Sequence, residues 1–151
     1  MYSDPCELPD EEYLIPIGKA DIKREGKDVT IVSYNKMMKL ALGAAEELAK
    51  DGIEAEVIDL RTIRPLDIET IINSVKKTNR LVIIDESWPF TSIASAITFQ
   101  VQRYAIDYLE APFRRVTGAD SIMHYAPNLV DAYLPSVKKI VEAVKDVSYA
   151  K

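Results

Sequence analysis

Residues 57–67 read Val57-Ile58-Asp59-Leu60-Arg61-Thr62-Ile63-Arg64-Pro65-Leu66-Asp67. An apolar strand runs into a loop with two arginines and a proline, and Asp67 stands where a helix N-cap belongs. Beyond it Ile68, Ile71, Ile72 and Val75 fall at i, i+3, i+4 and i+7, one apolar stripe of a helix. Lys76 and Lys77 favour its negative end, and Asn79 suits the left-handed turn that closes it. A strand, a strand-end loop and a capped helix in that order make a crossover unit of a parallel sheet.

Working outward, the same alternation recurs. Ala20–Arg24 reads as a short edge strand that turns through Glu25-Gly26-Lys27-Asp28 into a strand at Val29–Tyr34, an edge hairpin. Met37, Leu40, Ala41, Ala44, Ala45 and Leu48 keep helical spacing up to a stop at Gly52, and Ala55–Leu60 is the next strand. Arg80–Ile84 is continuously apolar after its arginine, as in a sheet covered on both faces. A helix from about Ser92 to Leu109 carries Ile93, Ile97, Val101, Tyr104, Ala105 and Tyr108 on one stripe. Phe113–Thr117 supplies another strand, and a last helix begins near Pro135 and buries Val137, Ile140, Val141 and Val144. The expected fold is α/β: a three-layer α/β/α sandwich on a mostly parallel, mixed-edge sheet. It occupies residues 17–151, after an acidic, proline-punctuated linker over residues 1–16.

Composition narrows the function. The 151 residues are 48% apolar, enough for one core, and the formal charge of −5 argues against a nucleic-acid partner. Cys6 is the only cysteine, so no internal disulfide forms and a reducing compartment is expected. No apolar stretch approaches the roughly 20 residues of a membrane helix, and the first residues lack the basic-then-apolar order of a signal peptide.

Ligands of parallel sheets gather at the carboxyl ends of the strands. Those ends offer Asn35, then Asp59 with Arg61 and Arg64, then Asp85 with Glu86, then Asp120. Arg61 and Arg64 either grip an anion or pair with Asp59, Asp67, Asp85 or Glu86 and brace the loops; the excess of carboxylates favours bracing, in a buried setting. Asp85 and Glu86 are adjacent instead of facing each other as an acid/base pair would. No glycine-rich phosphate loop and no Cys/His metal spacing occur. The single histidine, His124, lies in a loop without an activating partner and reads as solvent-facing or packing. Trp88, after Glu86-Ser87, reads as an interface or core anchor. No catalytic, cofactor-binding or metal-ligating residue is expected in this chain.

Taken together, Tyr13–Ala20 (YLIPIGKA), Asp28–Tyr34 (DVTIVSY), the 57–67 run, Ser74–Ile83 (SVKKTNRLVI), Glu86–Pro89 (ESWP), Glu110–Pro112 (EAP) and Val116–Asp120 (VTGAD) resemble one family in order. The chain is similar, from about residue 13 to 147, to the C-terminal domain of pyruvate dehydrogenase beta subunits, a transketolase C-terminal-like fold. Arg64-Pro65-Leu66-Asp67, Trp88 and Val116–Asp120 point to the pyruvate branch over the branched-chain one.

The resemblance implies a role in assembly and docking within a thiamine-diphosphate enzyme. Thiamine diphosphate and Mg would belong to the full enzyme, between the alpha subunit and the other domain of the beta subunit, and not to this domain alone. The implied partners are the alpha subunit, a second beta subunit and the dihydrolipoyl acetyltransferase core. Docking to that core would use Glu110 and the terminal carboxylate at Lys151. The implied compartment is the mitochondrial matrix or the bacterial cytoplasm. Departures from the family pattern are Ser92 and Ala94 where glycines are usual, Ala96 for a glutamate, and His124 for a proline. The alternatives are a branched-chain or acetoin dehydrogenase, or a stand-alone module binding an organic anion at the strand ends.

Overall fold

The computed structural model describes residues 10–149, so residues 1–9 of the expected linker, Cys6 and the expected docking group at Lys151 lie outside the described residues. Eleven segments follow in order. They are β1 (Asp21–Arg24), β2 (Val29–Ser33), α1 (Met37–Lys50), β3 (Ala55–Asp59), α2 (Ile68–Thr78), β4 (Leu81–Ile84), α3 (Ile93–Ala105), a 3-10 turn (Ile106–Tyr108), β5 (Arg114–Val116), α4 (Pro127–Tyr133) and α5 (Val137–Val147).

The sheet runs β1-β3-β2-β4-β5, with only β1 antiparallel. Helices cover both faces. Val29, Ile31, Val57, Val82 and Ile84 point towards α1 and α5, where Ala41, Ala44, Leu48, Ile140 and Val144 meet them. Val32, Ile58, Leu81 and Ile83 point the other way, onto Ile71, Val75, Ile97 and Val101 of α2 and α3. Strands buried on both sides have no polar face, which explains their continuous apolar runs. β2 carries two buried hydroxyls: Thr30 is satisfied by Ser74 and Thr78 of α2, each at 2.6 Å, and Ser33 donates to Ile84 O at 3.2 Å.

Three expectations change. The edge strand β1 does not form a hairpin with β2; it pairs with β3, placing Asp21 level with Asp59. Between β1 and β2 the chain crosses the start of β3, where the Lys27 and Asp28 N–H groups both donate to Glu54 O at 3.0 Å. Gly26 makes this crossing possible, because a Cβ there would lie 2.2 Å from Glu56 N. The α3 stripe holds for Ile97, Val101 and Ala105, but the helix tightens into the 3-10 turn after Ala105, and Tyr104 and Tyr108 face solvent. Finally, α4 stands between the strand expected at 113–117 and the helix expected from Pro135, where no element was assigned.

Candidate functional site

Four parallel strands place their carboxyl ends along one rim of the sheet. Connections from β2 lead towards β3, and those from β4 towards β5, so the crevice between β2 and β4 is the topological switch point. Tyr34, Asn35 and Lys36 leave β2 there, and Asp85, Glu86, Ser87 and Trp88 leave β4. Asp85 is fully buried. Its Oδ1 accepts from the Tyr34 hydroxyl at 2.8 Å and from Ser87 N–H at 2.9 Å, while its Oδ2 has no partner among the described residues. Burial, followed by this hydrogen bond and the charges of Asp85 and Glu86, pushes the Tyr34 phenol well above its ordinary value. Glu86 pairs with Lys36 at 3.1 Å on the surface.

The loop after β3 is built differently from the sequence expectation. Arg61 is paired, but with Asp21 of the antiparallel strand, at 2.7 Å. Lys23 shares the same carboxylate at 2.6 Å. The hydrogen bond from Lys23 pulls the Asp21 carboxyl below its ordinary value; burial opposes this, and the charges of Lys23 and Arg61 add to it. Asp59 accepts the backbone N–H of Arg61 at 3.1 Å, which supports that residue's left-handed φ of 54°. Arg64 is exposed and holds no carboxylate among the described residues, so the expected buried brace at Arg64 is not formed. An exposed pair such as Arg61–Asp21 is worth about 0–1 kcal/mol.

Asp67 does cap α2. Its carboxylate accepts from Thr70 N–H (3.2 Å), the Thr70 hydroxyl (2.9 Å) and the Ala20 N–H (3.0 Å), tying the lead-in to β1 onto the helix start.

A crevice of about 550 Å³ opens beside these residues, lined by Lys23, Tyr34, Asn35, Asp59 and Arg61. Asp21 and Asp59 balance its two cations, so it offers no net positive field to an organic anion. Among the described residues no group of three or more His, Cys, Asp or Glu side chains is placed to hold a metal ion.

What the rim does present is apolar. Trp88 is 53% exposed and Phe90 79%, and on the neighbouring loop Ile122 is 81% and Tyr125 wholly exposed. The two loops are held together by Gly118 N–H donating to Ser87 O at 3.0 Å and by Arg115 donating to Pro89 O at 3.1 Å. Large apolar side chains grouped on adjoining loops mark a surface that meets another molecule. His124 lies in the same loop and is exposed.

Glu110 sits at the opposite rim, before β5. Its side chain is 57% exposed and pairs with Arg80 at 2.7 Å. The hydroxyl of Tyr149 donates to Glu110 O at 3.4 Å, so the end of α5 reaches this same edge. Sequence reasoning named Glu110 and Trp88 but missed Arg80, Tyr34, Phe90 and Tyr125. Arg80 read only as a strand residue, although a charge just before an apolar strand sits at the sheet's amino rim.

Residues 18–140 match the family described as Transketolase, C-terminal domain. The Dictyostelium discoideum protein named pyruvate dehydrogenase E1 component subunit beta, mitochondrial, is 52% identical over 139 residues, which cover 92% of this chain and 39% of that protein. The pyruvate dehydrogenase E1 component subunit beta of Rickettsia felis is 49% identical over 149 residues, 99% of this chain and 46% of that one. A solved structure described as a split gene transketolase, inactive beta4 tetramer, superposes with a TM-score of 0.81 at 27% identity, covering 98% of this chain and 46% of that chain. The chain spans less than half the length of these curated relatives. Among the described residues no helix is long and apolar enough to cross a membrane. The mixed sheet between two helical layers and the match over residues 18–140 agree: this chain belongs to the transketolase C-terminal domain family.

Proposed function

We propose that the chain serves as the C-terminal assembly and docking domain of a pyruvate dehydrogenase beta subunit, within an enzyme that decarboxylates pyruvate oxidatively and transfers the acetyl group to lipoyl groups. The observation that carries this reading is the match to such beta subunits over nearly the whole chain at about half identity. The two rims of the sheet divide the work. The carboxyl rim, with Trp88, Phe90, Ile122 and Tyr125, packs against the alpha subunit and a second beta subunit, and Asp59, Arg61, Arg64, Asp67 and Glu86 shape the loops of that contact. The amino rim, with Glu110, docks a basic segment of the acetyltransferase core through charged hydrogen bonds and electrostatic steering. Thiamine diphosphate and Mg are held by the alpha subunit and the remainder of the beta subunit. The enzyme works in the mitochondrial matrix or the bacterial cytoplasm.

The test is the double variant Trp88→Ser/Phe90→Ser in the assembled enzyme. Both side chains are mostly exposed, so the melting curve of the isolated chain should move little, within about 0.5 kcal/mol. Sedimentation should show the alpha–beta assembly falling apart at concentrations where the unaltered enzyme holds together. Full assembly by the double variant would remove the carboxyl rim from the interface.

A further inference from the structure

Arg80 is held from three directions. Its Nε donates to Val147 O at 3.2 Å, Nη1 to Asp28 O at 3.4 Å and Nη2 to Glu110 Oε2 at 2.7 Å. The side chain is 24% exposed against 57% for Glu110, so a half-buried guanidinium presents an outward carboxylate. The backbone is fixed as well: Glu110 N–H donates to Asn79 O at 2.9 Å, and the Asn79 side-chain amide donates to Tyr108 O at 2.7 Å. Tyr149 reaches the carbonyl of Glu110 from just beyond the end of α5.

We propose that Arg80 is a positioning residue of the Glu110 docking surface. It pins Glu110 in one rotamer, ties it to the end of α5, and leaves Oε1 as the acceptor offered to a cationic side chain. The inference rests on the docking role of Glu110 given above. An exposed glutamate fixed only on binding loses rotamer freedom at that moment; one fixed beforehand does not. The positive charge of Arg80 would oppose a cationic partner, but its Nε lies against the carbonyl end of α5, where the helix dipole is negative. The fork of the guanidinium makes this three-way tie possible, and an ammonium cannot reproduce it. The plain rival is that Arg80 only staples three segments of the fold.

A double-mutant cycle separates the two. The assembled alpha–beta enzyme is titrated calorimetrically with the basic docking segment of the acetyltransferase, using the unaltered protein, Arg80→Met, Glu110→Gln and the double variant. Arg80→Met should weaken binding roughly three- to tenfold, the size of a contact-pair coupling, and should weaken it no further in the Glu110→Gln background. Arg80→Lys should fall between Arg80→Met and the unaltered protein. Tighter binding by Arg80→Met, or an equal loss in both backgrounds, would overturn the positioning role while leaving the docking reading intact. An unchanged affinity for Glu110→Gln alone would remove the docking reading, and the role of Arg80 with it.

Discussion

Asp67 joins two segments that are far apart in sequence. One carboxylate caps α2 and holds the Ala20 N–H leading into β1, and the residue is 6% exposed. Burial pushes its carboxyl up, but the donors of Ala20 and Thr70 and the charge of Lys19 outweigh it and leave the group below its ordinary 3.8. A depressed folded value means stability that is present above 3.8 and lost as pH falls through the lower folded value. Asp67→Asn should therefore flatten the acid limb of a stability profile taken by urea unfolding between about pH 5 and pH 2. Asp67→Ala should cost about 2–4 kcal/mol at neutral pH, a lost cap plus stranded donors. An unchanged acid limb would show that the carboxylate does not titrate with folding. The cap was legible because a helix N-cap is a local matter. The partner of Arg61 was not, since Asp21 meets it only through β1–β3 pairing. Arg64 was misjudged for a related reason: counting carboxylates nearby in sequence says nothing about which of them face the arginine.

At the scale of elements, the five strands and four long helices were legible from period and caps, because doubly buried strands are mostly apolar and α1, α2 and α5 keep a clear stripe. The seven-residue α4 was not, because it buries only Tyr133 and offers no repeat to read. Pairing of β1 with β3 was also hidden; a two-strand reading takes the nearest partner, and nothing local reports a crossing. Gly26 is the sequence mark of that crossing. Gly26→Ala would drive a Cβ towards Glu56 N and the carbonyl of Glu54, both backbone atoms that cannot step aside. It should destabilise the chain by about 1–3 kcal/mol, the usual range for overpacking, or more. Gly52→Asn is the control, since that turn has open space and a left-handed φ of 79° that asparagine tolerates. Equal melting temperatures for Gly26→Ala and the unaltered chain would mean that β1 does not cross β3 as described.

The described residues form a sheet with large apolar side chains exposed at its carboxyl rim and the Arg80–Glu110 pair at its amino rim. The fold and the family could be read from the sequence; the exposed apolar side chains of the rim could be read only in part, through Trp88, because Phe90, Ile122 and Tyr125 look like ordinary loop or core residues until the two loops are seen side by side. On the proposed reading the chain contributes by completing an enzyme. Complementation tests this most directly. The alpha subunit and the other domain of the beta subunit are mixed with or without this chain, and pyruvate-dependent reduction of an electron acceptor is followed with thiamine diphosphate and Mg present. Turnover should appear only when all three polypeptides are together, and this chain alone should show neither turnover nor calorimetric binding of thiamine diphosphate. Turnover or micromolar cofactor binding by the chain alone, or a complete three-part mixture that stays inactive on pyruvate, would contradict the account.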